Sequence, residues 1–243
     1  MNLKKIIGFL AIVMVLNVGS AFAVDLTISS IVGNWANALP PATATLVDAP
    51  NQGTDTARWG TDAGSGQSGY NFTPAGNITV TPALLGTPLL LGTFQHLNNP
   101  ILAPFLTSID YNLSFTTNGI PAGLATVFHF AHNETPNVAP CAGGPDGPST
   151  SVCDDFVTVT TSALNQHIIV GGTDYFFNLL GFSKNGGATI NSVFQSPELQ
   201  TNSAGVYAIV TLTPIGAPEP DALLLLGTGL GGVALIARKL KKS

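Results

Sequence analysis

The chain has 243 residues, of which 45% are hydrophobic and only 9% charged, against about 25% charged in typical domains. Between residues 24 and 217 the only basic side chains are Arg58 and Lys184, set against eleven acidic ones, a formal charge of −9. No nucleic-acid partner is expected, because binding the phosphate backbone takes Lys and Arg to displace counterions; an anionic lipid surface is disfavoured for the same reason.

The first residues read as a secretory signal peptide. Lys4 and Lys5 give a positive start, an apolar core follows from 6 to 18, and Ala21 and Ala23 place small side chains where signal peptidase needs them. Cleavage after Ala23 is expected, leaving 24–217 as an exported domain long enough for one full core. An uncleaved anchor helix is the alternative.

The exported part shows strand signals and almost no helix signals. Over 109–115, Ile109, Tyr111, Leu113 and Phe115 alternate with Asp110, Asn112 and Ser114. This period of two means one buried and one solvated face. Asn118-Gly119 follows, a strong hairpin signal, and 124–130 returns. Further strands are expected over 26–31, 70–72, 77–80, 89–95, 156–161, 168–170, 175–180 and 206–213. Gly171-Gly172 marks a second hairpin. Stretches 40–62 and 133–152 read as long loops. About ten short strands between turn signals predict an all-β fold, a single β-sandwich of jelly-roll type.

Cys141 and Cys153 are the only cysteines. In an oxidising compartment such a pair around a turn-rich loop reads as a disulfide. A zinc site would want further Cys or His at close spacing, and none follows.

Few residues suggest chemistry. His96 and Asn98 would share one face of a strand; a polar site competes there with simple capping of strand-end backbone groups. His129 and His132 resemble a metal pair, but at i, i+3 a strand points them to opposite sides, and a bend plus a carboxylate such as Glu134 would be needed. His167 stands alone. Asp154 and Asp155, with Asp146, could hold Ca²⁺, yet no Asp-x-Asp-x-Asp-Gly series is present, and a solvated loop is the simpler reading. No nucleophile elbow occurs, and Glu134 and Glu198, the only glutamates of the exported part, sit in no recognisable motif for glycoside hydrolysis. Trp35, Trp59 and Tyr70 could stack on sugars, though such residues more often pack cores. No catalytic residues, cofactor or metal are expected, and the domain is not expected to be an enzyme.

The last stretch is the most specific. Pro218, Glu219 and Pro220 form an extended, accessible tripeptide. An apolar run over 222–237 follows, about 24 Å long as a helix. Then come Arg238, Lys239, Lys241 and Lys242, which would stay on the cytoplasmic side. This order resembles the PEP-CTERM sorting signal. The resemblance implies a Gram-negative host, recognition by a membrane-embedded exosortase, cleavage near the tripeptide, and delivery to the cell surface or a matrix of exopolysaccharide and biofilm. A plain uncut membrane anchor is the alternative.

Fragments of the exported part are similar to one group of such proteins, the THxN family. They include Leu91-Gly92-Thr93-Phe94-Gln95-His96-Leu97-Asn98, Arg58-Trp59-Gly60, Phe130-Ala131-His132-Asn133-Glu134-Thr135-Pro136-Asn137, Cys153-Asp154-Asp155 and Leu179-Leu180-Gly181-Phe182. The naming motif is Thr-His-x-Asn; Gln95 replaces its threonine, while His96 and Asn98 match. The resemblance implies an exported β-domain and brings no activity with it.

Overall fold

A computed structural model describes residues 25–49, 52–118, 120–149, 153–161 and 165–212, with the backbone alone for 120–125. The predicted signal cleavage at Ala21 and Ala23, the sorting tripeptide Pro218, Glu219 and Pro220, and the apolar tail lie outside these residues. No helix among the described residues is long and apolar enough to cross a membrane.

The described strands are β1 (Leu26–Leu39), β2 (Ala44–Val47), β3 (Asp55–Trp59), β4 (Thr61–Asp62), β5 (Ser68–Pro74), β6 (Ile78–Val80), β7 (Pro88–Asn98), β8 (Ile101–Leu102), β9 (Ser108–Thr117), β10 (Ile120–Asn133), β11 (Asp155–Thr161), β12 (Gln166–Val170), β13 (Thr173–Ser183), β14 (Val193–Ser196) and β15 (Gln200–Thr211). They form a six-stranded sheet in the order β14-β11-β10-β9-β1-β6 and a seven-stranded sheet in the order β12-β13-β15-β7-β5-β3-β2; β4 and β8 pair separately. Neighbours are antiparallel throughout. The all-β expectation is met, and the arrangement is consistent with a β-sandwich.

The alternation read in β9 is present as expected: Ile109, Tyr111, Leu113 and Phe115 are buried, while Asp110, Asn112 and Ser114 are not. Both hairpins also form. Thr117 pairs with Ile120 across Asn118-Gly119, with Asn118 at φ 47°. Val170 pairs with Thr173 across Gly171 (φ 58°) and Gly172 (φ 79°), the left-handed pair that a two-residue hairpin turn requires.

One expectation needs correction. The stretch 40–62 is not a loop, because it carries β2, β3 and β4. In β3 the inward residues are Asp55, Ala57 and Trp59. A carboxylate and a methyl at two core positions hide the apolar signal.

Aromatic side chains from the inner faces of both sheets fill one core. Trp35 of β1 meets Tyr70 of β5 at 5.6 Å between ring centroids, Phe130 of β10 meets Phe94 of β7 at 5.3 Å, and Phe115 of β9 meets Phe177 of β13 at 5.4 Å. Trp35, Trp59 and Tyr70 are all fully or almost fully buried, so they serve as core and not as exposed stacking platforms. Tyr111 donates its hydroxyl to Asp55 Oδ2 at 2.6 Å, and Trp35 Nε1 donates to the Asp55 carbonyl at 3.2 Å. These bonds tie β9 and β1 of one sheet to β3 of the other.

Candidate functional site

At one end of the core the inner face turns polar. Four strand ends meet there. β7 finishes at Asn98 and β10 at Asn133, β11 begins at Asp155, and β14 finishes at Ser196. Register places them together, since Asp155 is the partner of Ser196, and Tyr70 that of His96. Alternation along β7 sends Phe94, His96 and Asn98 inward. The same parity along the end of β10 sends Phe130 and His132 inward, and Glu134 follows two residues after His132.

The outcome is a buried group of two imidazoles and three carboxyls. One ligand atom each from His96, His132 and Asp155 lies within 4.8 Å of the others, and the same holds for Glu134, Asp155 and Glu198. The His96 and His132 rings meet edge to face with centroids 5.2 Å apart, and the Trp59 ring stacks on His96 at 5.8 Å. His132 Nε2 lies 3.1 Å from Glu134 Oε2 and 3.9 Å from Asp155 Oδ2. The His132 and Asp155 side chains are 0% exposed, and that of Glu134 is 13% exposed.

Surrounding groups hold these side chains in place. His132 Nδ1 lies 2.6 Å from the Tyr70 hydroxyl. His96 Nδ1 lies 2.8 Å from Ser196 Oγ, which also accepts a hydrogen bond from Asn202 Nδ2 at 2.8 Å. Asn98 Nδ2 donates to the Ser196 carbonyl at 2.8 Å, a strand-end backbone group. Asp155 Oδ1 accepts from the Thr135 backbone N–H at 2.8 Å, and the Thr135 hydroxyl oxygen lies 3.2 Å from it. Even so, His96 Nε2, Asp155 Oδ2 and Asn98 Oδ1 are buried with no hydrogen-bond partner.

Burial dominates the electrostatics. It pulls His132 down to about 4, although the Asp155 and Glu198 charges act the other way. It holds His96 well below the ordinary histidine value, and His132 adds to that. Burial pushes Glu134 up to about 7. Asp155 also rises to about 7, through burial first and the Glu134 charge second. Such displacements arise when the loss of water outweighs any opposite charge nearby, and they are a recognised mark of functional sites. Arg58 and Lys184, the only Lys or Arg side chains between residues 24 and 217, are engaged elsewhere. Arg58 donates to the Tyr70 carbonyl at 2.9 Å and to Asn71 Oδ1 at 2.6 Å, and Lys184 donates to Asp146 Oδ2 at 2.6 Å and to the Gln195 carbonyl at 2.8 Å.

The other sequence candidates fall apart in space. His129 is half exposed and bonds Asp110 at 2.8 Å, away from His132. His167 bonds Asp174 at 2.8 Å on the surface. Asp146 pairs with Lys184, Asp154 accepts from Gln195 Nε2 at 2.6 Å, and Asp155 points into the buried group. The three acids therefore do not converge as a Ca²⁺ loop would need. Cys141 and Cys153 are disulfide-bonded as expected, and the Cys153 carbonyl accepts from Thr135 Oγ1 at 3.0 Å, next to the Thr135 contacts that orient Asp155.

The sequence named Glu134 as a carboxylate for a site of His129 and His132; Glu134 does meet His132, while His129 does not join them. Sequence reasoning missed the arrival of Asp155, which depends on how β10, β11 and β14 pair. A cleft of about 470 Å³, lined in part by Leu106, Thr107, His132, Glu134 and Thr135, lies beside this end of the core.

Compared with known proteins, the chain matches no family model and none of the curated proteins. The fold and site define an all-β, disulfide-bonded domain with a buried histidine–carboxylate cluster at one end of its core.

Proposed function

We propose that the chain is a non-enzymatic, exported cell-surface or matrix protein, a jelly-roll β-sandwich sorted by its C-terminal stretch. The observation that carries this reading is the order Pro218-Glu219-Pro220, apolar run, basic cluster. Proline fixes φ and disfavours helix at the residue before it, a composition that suits capture of the tripeptide by another protein's active site. The apolar run would hold it at the membrane until an exosortase cuts. Exopolysaccharide or biofilm is the proposed setting of the released or attached domain.

Two further features support export. The charged-then-apolar start ending in Ala21-Phe22-Ala23 suits signal peptidase, and the Cys141–Cys153 disulfide suits an oxidising compartment. A non-enzymatic role fits the site, because Asp155 is fully buried and beyond reach of a polymer substrate. The burial of Trp59 and Tyr70 takes away the platform a sugar-binding reading would use.

The test is the intact mass of the mature protein from its native host, for wild type and for Glu219→Ala. The expected outcome is a wild type that lacks the tail and a variant that keeps it, any mass above that of 24 to about 217 reporting a covalent attachment. A wild type that keeps Ser243 would overturn the sorting reading and leave the tail as a plain anchor.

A further inference from the structure

We propose that His96, His132 and Asp155 bind a divalent transition-metal cation, best matched by Zn²⁺, with Glu134 closing the site on its solvent side. This goes beyond the sorting reading and does not depend on it.

The argument starts from the unpaired atoms. His96 is 0% exposed, and in the tautomer that gives its Nδ1–H to Ser196 Oγ, 2.8 Å away, its unpaired Nε2 is a bare lone pair inside the core. A buried polar atom left unpaired is costly, because it has lost water and gained no partner. Asp155 Oδ2 is in the same position, with Oδ1 fixed by Thr135. Both ligand candidates thus have one atom held by an outer partner and the other left unpaired, and one ligand atom of each lies within 4.8 Å of the other; outer partners of this kind orient metal ligands.

His132 completes the set. Its Nε2 proton faces Glu134 when Tyr70 donates to Nδ1. Moving the proton to Nδ1, with the Tyr70 hydroxyl then accepting, frees Nε2 as a ligand without net proton change. Two neutral imidazoles and two carboxylates would neutralise a dication, and no Lys or Arg supplies that charge here. Nitrogen ligands favour Zn²⁺ and its neighbours over Ca²⁺, which prefers oxygen. Tetrahedral bonds of about 2.0 Å would set ligand atoms about 3.3 Å apart, so the group, now within 4.8 Å, closes by small side-chain shifts. Glu134, 13% exposed, lines the cleft and is the ligand candidate that an arriving ion would meet first.

The test uses the full chain, free of any affinity tag, purified in detergent with its disulfide intact. After chelation and dialysis it is titrated with Zn²⁺, Co²⁺ and Ca²⁺, and bound metal is counted by mass spectrometry. One equivalent of Zn²⁺ or Co²⁺ is expected, with no stoichiometric Ca²⁺. His96→Gln and Asp155→Asn should each weaken binding by about 100-fold or more, beyond the 10- to 100-fold typical of lost outer partners. His129→Gln and His167→Gln should leave it unchanged. X-ray absorption of the wild-type Co²⁺ form provides a second readout that needs no variant to fold, and two imidazole ligands are expected. No binding by folded wild type, an all-oxygen shell, or unchanged affinity in His96→Gln and Asp155→Asn would each overturn the site and leave a packed polar core.

Discussion

Asp55 shows how one side chain can join two sheets at an electrostatic cost. Its carboxylate accepts from Tyr111 and from the Ala49 backbone N–H at 2.7 Å. Burial nevertheless raises its pKa above the ordinary value of 3.8. The folded state therefore holds this proton more tightly than the unfolded chain does. The resulting stability is fully present below about pH 3.8 and is lost as pH rises through the higher folded value. Asp55→Asn should remove that part of the pH dependence, seen as a flatter urea midpoint between pH 3 and 7 relative to wild type. Tyr111→Phe should instead steepen the fall and cost about 1–3 kcal/mol at pH 7, because a charged acceptor loses its donor. Parallel pH profiles for wild type and Asp55→Asn would show that Asp55 is not desolvated as described.

At the scale of elements, the legible part of the fold was wherever a strand alternates cleanly, as in β9, or a turn carries its own residues, as at Gly171-Gly172. The inward pair His96 and Asn98 was legible for the same reason. Asp55 in β3 broke the apolar pattern, and four-residue β2 is too short to show one, so 40–62 read as loop. In the site, Glu134 was legible as a carboxylate for His132, and strand geometry brings that i, i+2 pair together while it turns His129 at i−3 away. Asp155 could not be placed without the β10–β11 pairing. The second hairpin offers a clean measurement. A Cβ at Gly172 would meet nothing within 4 Å, so substitution tests the backbone alone. Gly172→Ala should destabilise by about 1–2 kcal/mol, the cost of a left-handed L-residue. Gly172→Asn should cost visibly less, because asparagine tolerates that region. Equal denaturation midpoints for the two variants would mean that the turn relaxes out of the left-handed form.

Across the whole molecule the aromatic core decides whether the two sheets unfold together. Phe94 of one sheet touches Phe130 and Phe194 of the other, with centroids 5.3 and 5.4 Å away. Toward a different part of the core, Phe115 and Phe177 repeat the contact between sheets at 5.4 Å. Both tryptophans pack around Tyr70, so their fluorescence reports the region next to the histidine–carboxylate cluster. Phe115→Ala removes a buried ring that has no ring contact with either tryptophan, at an expected cost of about 3–5 kcal/mol. If one core links the sheets, the loss must reach the tryptophans undiminished, because a two-state domain has a single transition for every probe. The fluorescence and far-UV circular dichroism midpoints in urea should then fall by the same amount. A tryptophan midpoint that stays at its wild-type value while the circular dichroism midpoint drops would instead divide the molecule into two cooperative units, with the polar cluster belonging to the unit that Phe115 does not support.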